Sequence, residues 1–158
     1  MTSEAEVPPV TTGRCVCGEL RYSLDDLPLF THACHCLDCQ RRTGTAFAMT
    51  TIVMRRDLRI THGVTSAKQT SPRSTTYGCA TCNTTIYVAS TAFPSTIVLR
   101  PGTLDDSTVA TPRAHVWVRR KQAWLMLPED VPQFEEGYDR DATWPAASLA
   151  RMKAAEGA

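Results

Sequence analysis

A mainly β, antiparallel single domain with short helical segments is what this 158-residue chain predicts, on two observations. Short β-branched or aromatic runs recur along it, and turn-forming residues separate them at close intervals. Leu20, Tyr22 and Leu24 alternate with polar residues, the pattern of a strand with one buried face, before a turn at Asp25-Asp26. Cys34-His35-Cys36 leads into Leu37 to Thr43, the single stretch that reads as a helical turn, which Gly44 ends. Ala46 to Val53 reads as a strand, followed by turn signals at His62-Gly63 and Ser71-Pro72. Ile86-Tyr87-Val88, Ile97-Val98-Leu99 and Val116-Trp117-Val118 are further short strands, punctuated by Pro101-Gly102, Asp105-Asp106 and Pro112. Pro128 to Asp141 holds two prolines and six acidic residues and reads as an extended loop anchored by Phe134 and Tyr138.

The ends of the chain differ from this middle. Residues 1–12 have no basic residue, two adjacent prolines and no apolar periodicity, so they read as a mobile tail, with the folded domain spanning 13–141. Residues 142–158 form a C-terminal tail with a short alanine-rich helix, marginal alone and expected to fray or dock weakly.

Composition narrows the functional classes. With 42% hydrophobic and 21% charged residues the chain is an ordinary globule, long enough for one core. A formal net charge of +1 provides no general field for nucleic acid or anionic membrane, so neither is an expected partner. Arg41-Arg42, Arg55-Arg56 and Arg119-Arg120-Lys121 read as solvated surface. No apolar run approaches the length of a membrane span, and Glu4 and Glu6 stand where a secretory signal is basic and then apolar. A cytoplasmic location is expected.

The strongest signal is the cysteine pattern. Seven cysteines fall in three tight groups, Cys15-x-Cys17-Gly18, Cys34-His35-Cys36-x-x-Cys39 and Cys79-x-x-Cys82-Asn83. An odd, clustered set in a reducing compartment points to metal rather than disulfides. A C-x-x-C loop directs two sulfurs at one centre, and a following residue in left-handed conformation closes the turn. Gly18 suits that role, and Asn83 tolerates it. Seven divides as four plus three: Cys15, Cys17, Cys79 and Cys82 as a closed structural zinc site, and Cys34, Cys36 and Cys39 as an open catalytic one. A different partition, with Cys34, Cys36 or Cys39 in the structural site, satisfies the same spacing. His35, between two ligands, is expected to point away from the metal they share, and His32, His62 and His115 read as packing residues.

These residues resemble a known family. G-x-C-x-C-G at Gly13 to Gly18, C-H-C-x-x-C with Arg41 and Gly44, C-x-x-C at Cys79, H-V-W-V at His115 and W-x-x-x-P-E-D-x-P-Q-F from Trp124 are similar to the glutathione-dependent formaldehyde-activating enzymes, which include the centromere protein V proteins. The resemblance covers about residues 13 to 140 and departs from it at Asn83, where relatives usually have glycine. It implies a β-tent-like zinc fold with two Zn²⁺ per chain, a structural zinc on Cys15, Cys17, Cys79 and Cys82 and a catalytic zinc on Cys34, Cys36 and Cys39. It also implies a carbon-sulfur lyase that joins formaldehyde and glutathione to give S-(hydroxymethyl)glutathione.

From the residues themselves, a zinc held by three thiolates is a weak Lewis acid and better suited to activating a small-molecule thiol that attacks an aldehyde. Arg41 and Arg42 are candidates to offset the site charge or hold a substrate carboxylate. The alternative is a non-catalytic zinc module with two structural metals whose surface binds a partner protein or nucleic acid. The fourth ligand of the second metal separates the two readings.

Overall fold

The computed structural model describes residues 11–157, so most of the expected N-terminal tail lies outside the described residues. Its last two residues do not belong to a tail: strand β1 (Thr11–Arg14) pairs with β2 (Arg21–Leu24), Thr11 opposite Leu24 and Thr12 opposite Ser23. Thr12 is fixed further by Asp105, whose carboxylate accepts from the Thr12 hydroxyl at 2.7 Å and whose N–H donates to the Thr12 carbonyl at 2.9 Å. Among the described residues no helix is long and apolar enough to cross a membrane.

The remaining elements are β3 (Phe30–Cys34), α1 (Leu37–Thr43), β4 (Ala48–Met54), β5 (Leu58–His62), β6 (Thr65–Ser71), β7 (Ser74–Cys79), β8 (Thr85–Ser90), β9 (Thr96–Leu99), β10 (His115–Val116), β11 (Gln133–Phe134), α2 (Arg140–Thr143) and α3 (Ala146–Glu156). They form a three-stranded sheet, β1-β2-β5, and an eight-stranded sheet in the order β11-β10-β3-β4-β9-β8-β7-β6. The fold is mainly β, as expected, and every pairing is antiparallel except those of β10, which runs parallel to both β3 and β11.

Strand alternation divides the apolar residues between two cores. Leu20, just before β2, and Tyr22 and Leu24 on it pack with Val53, Ile86, Ile97 and Leu99 from the large sheet. On the opposite face of β4, Ile52 and Met54 join Leu29, Phe30, Trp144 and Met152 in a second cluster. Each fully buried aliphatic or aromatic side chain contributes about 1.5–3 kcal/mol. Phe134 and Tyr138 anchor the acidic loop in this second cluster.

Two expectations need correction. The C-terminal helix does not dock weakly: Met152 is 3% exposed, Ser148 Oγ donates to Leu29 O at 2.6 Å, and Arg151 reaches Asp57 at 3.0 Å and Asp26 at 3.1 Å. A helix too short to persist alone is held by tertiary contacts. The strand expected over Val116 to Val118 stops at Val116, because Trp117 adopts a left-handed conformation at φ 59°. That region is sparsely populated by bulky residues and costs about 1–3 kcal/mol. Here the Trp117 N–H donates to Glu136 O at 2.8 Å, and Arg119 sits 5.0 Å over the indole while pairing with Glu136 at 2.7 Å.

Candidate metal centres

Folding gathers the cysteines into two groups that could each hold a metal ion: Cys15, Cys17, Cys79 and Cys82, and separately Cys34, Cys36 and Cys39. Within each group the ligand atoms lie within 4.8 Å of one another. This is the four-plus-three division expected from spacing.

The first group joins the β1–β2 loop to the β7–β8 turn. Both loops close in the same way. The Gly18 N–H donates to Cys15 O at 3.1 Å with Gly18 at φ 79°, and the Asn83 N–H donates to Cys79 O at 2.9 Å with Asn83 at φ 59°. Asparagine therefore takes the left-handed position that glycine takes in the other loop. Sulfur separations are 3.3 Å for Cys15–Cys17 and 3.8 Å for Cys17–Cys79. Four sulfurs about 2.3 Å from a tetrahedral centre lie about 3.8 Å apart, so these residues fit such an ion. Cys15 Sγ also accepts from the Leu20 N–H at 3.2 Å. Hydrogen bonds from the Thr84 hydroxyl and N–H hold the Cys82 thiol down at about 5. The Glu19 N–H favours a thiolate at Cys17, but the protons it shares with Cys15 and Cys82 push it up to about 12.

The second group has three sulfurs, and among the described residues no further His, Cys, Asp or Glu joins it. Cys34 ends β3 opposite Ala48, Cys36 caps α1 by accepting from the Cys39 N–H at 3.4 Å, and Cys39 lies within α1. Gly44, at φ 66°, closes the helix through its N–H to Gln40 O at 2.8 Å. A proton shared with Cys39 holds Cys34 down at about 6 and raises Cys39 in return. Metal binding resolves such a competition by removing the protons altogether.

His35 points away from the sulfurs, as expected. It is fully buried, its Nε2 lies 3.0 Å from His115 Nδ1, and its ring packs on Phe47. Burial, with His115 and Lys121 adding to it, holds His35 at about 4, so it is neutral at pH 7. His35 Nδ1 has no partner. A bare acceptor there is less costly than a stranded N–H, which places the proton on Nε2 and makes His115 the acceptor.

Sequence reasoning missed the residues that brace this loop. Gln40 Nε2 donates to His35 O at 2.7 Å and Arg120 O at 2.9 Å, and the Gln40 carbonyl accepts from Gln122 at 3.3 Å. Nothing in the composition around Gln40 marks it for this task. Of the basic runs, Arg41 pairs with Asp38 at 3.7 Å, Arg56 with Asp57 at 3.8 Å and Arg119 with Glu136 at 2.7 Å, the behaviour of surface charge. Arg100, which the sequence did not single out, is half-buried and donates from Nη1 to Met49 O at 3.4 Å, beside Ala48, the strand partner of Cys34.

Comparisons with known proteins address the fold and the family. A solved structure of a Rhodobacter sphaeroides protein is similar with a TM-score of 0.51 at 19% identity, over 77% of this chain and 98% of that one. This likeness speaks to the fold. No curated protein matches the sequence. The family model of the glutathione-dependent formaldehyde-activating enzymes matches residues 10–120, which include both cysteine groups. The chain belongs to the glutathione-dependent formaldehyde-activating enzyme family.

Proposed function

We propose that the protein is a zinc-dependent carbon-sulfur lyase or synthase acting on thiol-aldehyde adducts, of the S-(hydroxymethyl)glutathione synthase type. The observation that carries this reading is the inequality of the two groups: four sulfurs close one, whereas three leave the other a position short of a tetrahedron. All-sulfur donor sets favour soft or borderline ions, and zinc is the one that needs no redox partner. In this reading Cys15, Cys17, Cys79 and Cys82 hold a structural zinc, and Cys34, Cys36 and Cys39 hold the catalytic one. When bound there, that zinc favours the thiolate form of an incoming small-molecule thiol.

The chain's own residues set the geometry. Cys36 and Cys39 are fixed by the start of α1, and Cys34 by its pairing with Ala48. Gln40 ties the loop to the 118–125 segment, so the three sulfurs are held in place before substrate arrives. The neutral His35–His115 pair fills the space behind the loop without supplying a fourth ligand. In the forward direction the thiol sulfur bonds to the aldehyde carbon, the carbonyl π pair moves to oxygen, and the thiol proton ends on the resulting hydroxyl. Cleavage is the reverse, and no oxidant or reductant is involved. Membership of the family supports glutathione and formaldehyde as the pair, and a reducing cytoplasm suits both the free cysteines and a thiol substrate.

Because thiols add to formaldehyde unaided, exchange between free and adduct forms at equilibrium is the appropriate assay. Magnetisation-exchange NMR with glutathione and formaldehyde is expected to show faster exchange with the zinc-loaded protein than with Cys36→Ser. Equal rates for the two proteins would support the non-catalytic module instead.

A further inference from the structure

We propose that Arg100, assisted by Arg42, is the anion-binding corner of the three-sulfur site and selects thiols that carry a carboxylate. This rests on the thiol-aldehyde reading above and adds to it the residue that recognises the thiol's carboxylate. Arg100 directly follows β9, one step past the Leu99–Thr51 pair, and its Nη1 reaches back to Met49 O at 3.4 Å. Met49 pairs with Ala33 and Ala48 with Cys34, so the guanidinium lies at the end of β4 that faces the sulfur group.

Several arginines lack an ion pair among the described residues, but Arg100 is the one of them that is half-buried rather than exposed. Among the described residues every ion pair engages another arginine, and none engages Arg100. A guanidinium has five N–H donors, and one long hydrogen bond to a carbonyl leaves most of them free. Removing that charge from water without an anion is unfavourable. Arg42 lies three residues past Cys39 on α1, on the same face of the helix, so a second arginine stands beside the sulfur group. None of the Arg100 nitrogens is sealed off and partnerless, which leaves them open to an arriving group.

A compact cation would suffice to balance thiolates. A planar fork matches a carboxylate with two parallel N–H···O bonds, and that match is the specific advantage of arginine here. Arg41, paired with Asp38, is committed elsewhere, whereas Arg42 is exposed on the last turn of α1 without an ion pair among the described residues. The carboxylate of a small acidic thiol would therefore meet Arg100 and Arg42 while its sulfur reaches the open side of the cysteine group.

Mercaptoacetate and 2-mercaptoethanol, similar in size but differing in charge, test this with the zinc-loaded protein. Calorimetric binding and NMR exchange with formaldehyde are measured for native protein, Arg100→Met, Arg100→Lys and Arg42→Gln. Arg100→Met is expected to weaken mercaptoacetate binding at least tenfold and to leave 2-mercaptoethanol within twofold, with Arg100→Lys intermediate. Should Arg100→Met fail to fold, the same selective loss in Arg100→Lys and Arg42→Gln carries the test. Equal weakening of both thiols, or no change for either, would overturn the proposal. Selective binding without accelerated exchange in native protein would keep the anion corner and overturn the thiol-aldehyde reading.

Discussion

Cys15 and Cys79 are 2% and 1% exposed and pack among Leu20, Tyr22 and Ile86, whereas Cys36 and Cys39 are half-buried on a loop and a seven-residue helix. Half of the four-sulfur group is thus part of the hydrophobic interior, Cys17 being exposed and Cys82 half-buried, and it fastens two loops that are distant in sequence; in the other group Cys34 alone is buried. The three-sulfur group is local, six residues of chain folded on themselves, and no core residue depends on it in the same way. The side chain is the same in both. What differs is the span of chain that each group joins.

The largest break in this comparison is expected from Cys79→Ser. A structural zinc contributes an apparent 10–16 kcal/mol or so in small domains, as much as the whole stability of about 5–15 kcal/mol. The variant should be insoluble or unfolded by circular dichroism, with less than one metal ion per chain. Next comes Met152→Ala, which empties a buried site in the second core and should remove about 2–5 kcal/mol in a denaturant titration while both metals stay bound. That outcome would separate the role of the helical C-terminus from that of the sulfur groups. A smaller effect on stability is expected from Cys39→Ser, with a midpoint shift of no more than about 4 °C, one metal ion lost and catalysed exchange abolished.

The smallest effect concerns the interior beside the four-sulfur group. Burial pushes the Tyr22 hydroxyl, which lies 2.8 Å from Thr103 Oγ1, up to about 12. The unfolded chain loses that proton near pH 10 and the folded one near 12, so stability present below pH 10 falls as pH rises through this window. In an absorbance titration Tyr22→Phe should remove the step near 12, while those of Tyr87 and Tyr138, which burial also raises, remain.

Much of the site was legible because metal ligation imposes spacing on the chain. The three cysteine groups, the turn at Gly18 and the left-handed Asn83 follow from local geometry, and the structure places them as expected. The cap of α1 at Gly44 was readable for the same reason. The β6–β7 hairpin was not. Thr65–Ser71 and Ser74–Cys79 are polar and mostly exposed or half-buried, so pairing rather than an apolar face defines them. Trp117 was read as strand because its type favours one, but Glu136 and Arg119 hold it in a conformation that propensity disfavours. Arg100 stands alone in sequence, and only the β4–β9 pairing brings it to Met49 at the end of β4 that holds Ala48.

In the proposed reading one metal group is closed and structural while the other is open and reactive. Stepwise removal of zinc by a chromogenic chelator, followed at once by circular dichroism and by thiol-aldehyde exchange, tests it most directly. Two zinc ions per chain are expected: the first released with exchange lost and the fold intact, the second released only as the protein unfolds. Simultaneous release of both ions with unfolding, or full exchange activity after the first has gone, would contradict it.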